Sequence, residues 1–178
     1  QFDFQGNAKT YLDIIAETLH KDFFGEKVGL AYTDPKMGEL TMNAGVFHFN
    51  KESADNTIAL NFRYPQGVDV DGIKAGLEKL EGPKAVSLSE HGHVPHYVPL
   101  NDPMVETLLS VYEKQTGLKG HEQIIGGGTF GRLLKRGVAY GAMFPGYVNT
   151  MHQANEFTEV EDLYRAAAIY AEAIYELI

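Results

Sequence analysis

A chain of 178 residues with 44% hydrophobic and 11% aromatic content can bury a real core, and its length suits one large domain or two small ones. A net charge of -9 with no lysine- or arginine-rich run argues against a nucleic-acid groove or an anionic membrane surface as partner and leaves small molecules or cationic groups. The absence of cysteine excludes a disulfide framework, a thiolate metal site and a thiol nucleophile, and makes a reducing, cytoplasmic compartment the default.

No apolar run reaches the roughly 20 residues that span a bilayer, and the opening QFDFQGNAKT lacks the basic and apolar regions of a signal peptide. Leu12, Ile15, Leu19 and Phe23 recur at helical spacing after an Asn7 cap, with Gly25 as a stop, which predicts a helix over about 7–24. Short β runs follow: KVGLAYT, GELTMNAGVFHFN and, after the polar break KESADN, TIALNFRYP. They predict three or four antiparallel strands. In the last run Ile58, Leu60 and Phe62 face one way and Asn61 and Arg63 the other, so Arg63 projects from a well-anchored strand. Asp69 caps a predicted helix with the stripe Val70, Ile73, Leu77 and Leu80, ended by Gly82 and Pro83, and KAVSLSE returns as a strand. A β-α-β run with antiparallel neighbours suggests a two-layer α+β unit.

The segment SEHGHVPHYVPLN holds prolines, a glycine and three histidines without a period, and marks a crossing between domains 1–96 and 97–178. Beyond it come a helix opened by Asp102 with Pro103 in first position and closed by Gly117, a short strand HEQII, a glycine loop with a brief helix, and a second strand GVAYGAMF. The final predicted helix has a Thr158/Glu161 capping box and the apolar stripe Val160, Leu163, Tyr164, Ala167, Ala171, Ile174 and Ile178.

Gly126, Gly128 and Gly131 have the G-x-G-x-x-G spacing of a dinucleotide loop. The context argues otherwise. HEQII begins polar, the helix TFGRLLKR is about two turns long, and no acid follows the next strand to take a ribose. Two readings stay open: a structural turn, or a cradle whose backbone N–H groups approach an anionic or carbonyl oxygen, with the Thr129 hydroxyl alongside. His152, in MHQANEF, lies in the loop before the last helix, four residues ahead of Glu156. One histidine is not a zinc site, which takes three or four protein ligands, and His91, His93 and His96 sit on an irregular segment. No serine has a nucleophile-elbow context.

GGGTFGRLLKRGVAYGAMFPG, followed by MHQANEF and a helix ending AAAIYAEAIYELI, resembles the C-terminus of the dipeptidase V (Xaa-His dipeptidase, carnosinase-like) branch of the aminoacylase/carboxypeptidase-type zinc metallopeptidases. LTMNAGVF and ALNFRYP resemble the lid domain of the same proteins. The resemblance implies an α+β lid, of which 1–96 is the latter part, and the C-terminal part of an α/β catalytic domain over 97–178. It implies two metal ions, usually zinc with manganese or cobalt as alternatives, and hydrolysis of a dipeptide by metal-activated water. His152 then corresponds to the last metal ligand, and Arg63 to a lid arginine that reaches the substrate carboxylate. Gly127, Gly128 and Thr129 fall in the loop touching the substrate backbone, and Glu156 supports the His152 loop.

Two departures stand out. Gly131 occupies a place where alanine is common, which makes the third glycine of the apparent fingerprint dispensable. The other metal-binding and catalytic segments of the family belong upstream of Gln1, so the chain reads as the C-terminal portion of a larger enzyme, inactive alone and partnered by the missing N-terminal part. An N-acyl amino acid deacylase or desuccinylase of the same family, and a stand-alone non-catalytic α+β binding module, are the competing readings.

Overall fold

A computed structural model describes every residue except Gln1, Phe2, Ala54, Lys84, Glu90, His91, Gly127 and Ala142. The chain forms two compact units, residues 1–96 and 97–178. Both are mixtures of helix and irregular chain, and the strands described are short and antiparallel.

The first unit opens with helix α1, Gly6–Ile14, which widens into a π-helical turn over Ile15–Leu19. The chain leaves the helix at His20 (φ -62°, ψ 117°), so the helix stops short of Phe23. Phe23 was expected on the buried stripe and is instead 62% exposed. The cause is the next loop. Buried Asp22 gathers four backbone N–H groups, with Oδ1 accepting from Phe24, Gly25 and Glu26 and Oδ2 from Lys27 at 2.8–3.2 Å. These bonds are available only to a chain that has turned out of the helix, and a carboxylate so satisfied is cheap to bury.

After the small pair β1 (Thr33–Asp34) and β2 (Gly38–Glu39) comes the hairpin β3 (Thr41–His48) and β4 (Thr57–Arg63). KVGLAYT contributes only Thr33 to a strand. In the hairpin Met42 pairs with Phe62 and Ala44 with Leu60, while Thr41 pairs with Arg63 and Asn43 with Asn61. The alternation read from TIALNFRYP therefore appears directly. Met42, Ala44, Ile58, Leu60 and Phe62 pack with Leu19, Val28, Leu30, Leu77 and Leu80, and the polar pairs take the opposite face. A bulge between Ala44 and Val46 shifts the register. Helix α2, Val70–Leu77, is capped by the Asp69 side chain on the Gly72 N–H, and ends before Gly82 and Pro83. Residues 85–89 of the expected strand KAVSLSE are irregular, and its two ends lie outside the described residues.

The second unit is built on helix α3, Pro103–Thr116, and helix α4, Val160–Leu177. The Asp102 side chain caps α3 on Met104 N–H, Pro103 takes a first-turn position with no donor to lose, and Gly117 closes the helix in the left-handed region (φ 70°) that a side chain disfavours. Leu108 and Val111 of α3 pack with Phe144 and with Ile169 and Ala173 of α4. Glu172 ties the two helices through Lys114 and Gln115. Three expectations fail in this unit. HEQII and the described part of GVAYGAMF form no strand, because neither finds a ladder partner among the described residues. The cap of α4 is Glu159 rather than Thr158, without a side-chain bond, so the capping box does not form. The expected stripe of α4 is the wrong face. Val160, Leu163, Tyr164, Ile174 and Ile178 are exposed, and the buried side is Ala166, Ile169 and Ala173, of which Ile169 and Ala173 pack with Leu108 and Val111 of α3.

Candidate functional site

Arg63 closes β4 on the polar face of the hairpin, opposite Thr41. Among the described residues its guanidinium makes no ion pair or hydrogen bond, and it lines an open pocket of about 380 Å³. An unpaired guanidinium at the rigid end of a strand is suited to a bidentate carboxylate.

His152 sits in a tightly ordered loop. Its backbone is left-handed (φ 64°), as is that of Asn155 (φ 59°), conformations that cost a non-glycine residue about 1–3 kcal/mol each unless the surroundings hold them. Here they are held. The His152 N–H donates to Glu156 Oε2 at 3.2 Å, the Gln153 N–H to the Thr150 carbonyl at 3.0 Å, and the Phe157 N–H to Thr150 Oγ1 at 3.2 Å. The imidazole itself is exposed and makes no hydrogen bond among the described residues, so both ring nitrogens are open to a ligand. Glu156 acts on the backbone of His152, not on its ring. Thr150 carries no sequence motif; its role in the loop comes from a bond that spans seven residues, from the Phe157 N–H back to its hydroxyl.

The glycine loop runs into one 3-10 turn, Phe130–Leu133, far shorter than the helix a pyrophosphate needs at its end. Thr129 stands at the start of that turn, half-buried, and its hydroxyl caps nothing there. Gly128 has a steric task as well: a Cβ on it would lie 1.8 Å from Arg132 Nη1, so the guanidinium occupies the space that a side chain would take. That contact, four residues apart, was not anticipated. Gly131 is also confined, since a Cβ there would meet the Val138 carbonyl carbon at 2.9 Å, which gives it a packing reason. Gly127 lies outside the described residues, as does His91. The His93 carbonyl accepts from the Tyr64 hydroxyl at 2.9 Å, and no three His, Asp or Glu side chains among the described residues converge to hold a metal. Among the described residues, His152 is thus not joined by two further donors in a metal-binding group. No helix among the described residues is long and apolar enough to cross a membrane.

Comparison with known proteins gives this geometry its context. The model of peptidase family M20/M25/M40 matches residues 7–176. A protein of Lactobacillus delbrueckii subsp. lactis named Beta-Ala-Xaa dipeptidase is 48% identical over 178 residues, covering 99% of this chain and 37% of that protein. A Staphylococcus epidermidis protein whose name also carries the word dipeptidase is 40% identical, over 96% of this chain and 36% of its own length. YtjP of Bacillus subtilis, named in the same terms, is 36% identical, over 99% and 38%. The chain belongs to peptidase family M20/M25/M40. It spans little more than a third of the length of these relatives.

Proposed function

We propose that this chain is the C-terminal portion of a metal-dependent dipeptidase, with residues 1–96 forming the latter part of its lid and residues 97–178 the C-terminal part of its α/β catalytic domain. The observation that carries this reading is the 48% identity, along nearly the whole chain, to a relative named for cleaving Beta-Ala-Xaa dipeptides. A chain without cysteine suits the cytoplasmic setting of such an enzyme.

One imidazole is not a metal site, and no three His, Asp or Glu among the described residues converge to hold an ion, so the ion, zinc in the first instance, would need further ligands beyond them. When bound, it would supply carbonyl polarisation and an activated water. The roles of this chain's own residues follow from their chemistry. His152 presents an open ring nitrogen from a loop that Glu156 holds in place. Arg63 takes the substrate's C-terminal carboxylate in its fork. The backbone of Gly127 and Gly128, with the Thr129 hydroxyl, holds the substrate backbone. In support, the Arg63 guanidinium, the His152 ring and the Thr129 hydroxyl are all uncommitted among the described residues.

The test uses the full-length protein and β-alanyl dipeptides. Arg63→Ala should raise KM far more than it lowers kcat, and substrates with an amidated C-terminus should be poor for the wild type and equally poor for the variant. Equal handling of free and amidated dipeptides by the wild type would remove Arg63 from the carboxylate.

A further inference from the structure

The pocket beside Arg63 contains more than one charge. Phe23, Phe24, Thr41, Met42, Asn43, Asn61 and Arg63 line it; apart from Met42, whose side chain belongs to the core, they lie on the hairpin's polar face or on the loop bonded to it. The loop is fixed from both sides: Asp22 collects the four backbone N–H groups of residues 24–27, and the Phe23 carbonyl accepts from the Met42 N–H of β3 at 2.7 Å. Two phenylalanine rings are thereby held in the open, 62% and 41% exposed, next to an arginine with no counter-ion among the described residues. Two adjacent aromatic rings on an ordered loop beside the pocket offer apolar surface to a ligand that enters it. The side-chain amides of Asn43 and Asn61, paired across the strands, likewise donate to no protein group among the described residues.

We infer that this pocket selects a carboxylate carried next to an apolar or aromatic side chain, as in the C-terminal residue of a peptide, with Asn43 and Asn61 completing the polar recognition and Phe23 and Phe24 receiving the side chain. The inference rests on the carboxylate role of Arg63 and adds the residues that choose the side chain beside it. The chemistry is complementary in both halves: a planar anion meets a guanidinium flanked by neutral N–H donors, and an apolar group meets aromatic surface that water now covers.

The experiment titrates the nitrogen-labelled 178-residue chain with N-acetylphenylalanine, N-acetylalanine and N-acetylphenylalanine amide, following the Arg63 Nε and the Asn43 and Asn61 side-chain amides by NMR. N-acetylphenylalanine should shift all three groups and bind about tenfold more tightly than N-acetylalanine, as part-burial of a benzyl group implies. Asn43→Ala and Asn61→Ala should each weaken it about three- to tenfold, the worth of a hydrogen bond. Asn61→Asp should abolish binding by charge repulsion, and Phe23→Ala should erase the preference for phenylalanine. These positions are exposed, so the variants keep the fold. If binding needs the carboxylate and Arg63 but ignores the asparagines and Phe23, the inference is wrong and the role of Arg63 survives. If the amide analogue binds as tightly as the acid, both fall. Absence of any shift with all three compounds overturns the inference too.

Discussion

The His152 main chain is bound to the Glu156 side chain: its N–H donates to Glu156 Oε2 at 3.2 Å while the backbone of His152 stands at φ 64°. The strained residue and its support are four apart in one loop, so the imidazole's position depends on a carboxylate that does not touch it. In the full-length protein, Glu156→Ala should lower metal affinity about 10–100-fold, the usual cost of removing a group that orients a ligand. Glu156→Gln keeps an oxygen that accepts the N–H and should stay close to wild type. Chelator competition on the three proteins checks this, and equal affinity for all three would detach Glu156 from the site.

Tyr140 offers a test of the second unit's core. Burial, with smaller contributions from the neighbouring Tyr170 and Glu172, pushes its phenol up to about 12. Its hydroxyl donates to the Leu108 carbonyl at 2.6 Å, and its own carbonyl accepts from Tyr170 at 3.1 Å. A phenol whose folded pKa exceeds the unfolded value of about 10 supports the fold fully below that value and loses this support as pH rises towards the folded one. Absorbance titration should show one tyrosine ionising last, near unfolding. Tyr140→Phe should remove that step and cost about 1 kcal/mol at neutral pH, through the lost hydrogen bond.

The acid side depends on two carboxylates, each in an ion pair. The Arg136 guanidinium, bonded to both carboxylate oxygens at 2.7 Å, holds the Asp102 carboxyl below its ordinary range, and Lys114 followed by Gln115 does the same for Glu172. Folded values below the unfolded ones mean that this stability is present above the unfolded carboxylate pKa of about 4 and disappears as pH falls through the folded values. Asp102 also caps α3, so Asp102→Asn keeps an acceptor for the Met104 N–H but loses the ion pair. Its melting temperature should be lower by a few degrees at neutral pH, on the order expected for a small change in a domain of this size, and flatter below about pH 4. Identical acid profiles for the two proteins would contradict the assignment.

The parts of this fold that were legible are those settled by neighbours in sequence. Asp69 and Asp102 cap helices through bonds two or three residues long, Gly117 ends one by its own φ, and the two-residue period of β4 is written in its side chains. Pairing and packing are not local. HEQII has no ladder partner among the described residues, and α4 turns Ala166, Ile169 and Ala173 inward although a stronger apolar stripe runs along another side, because the packing partners Leu108, Val111 and Phe144 come from distant parts of the sequence. In the candidate site, the period of β4 places Arg63 on the hairpin's polar face and the loops GGGTFG and MHQANEF contain Thr129, His152 and Glu156, but their proposed roles come from the family resemblance, not from spacing. The Asp22 turn that lifts Phe23 and Phe24 outward, and the seat of Arg132 on Gly128, depend on loop geometry that no spacing encodes.

The central claim is that His152 is one ligand of a metal site completed by residues outside this chain. Its most direct test is the zinc content of three purified proteins after dialysis: the full-length protein, its His152→Ala variant, and the 178-residue chain. The account predicts two ions in the first, one ion fewer in the second, and no stoichiometric zinc in the third. Two retained ions in the His152→Ala variant, or tight stoichiometric zinc on the 178-residue chain, would contradict it.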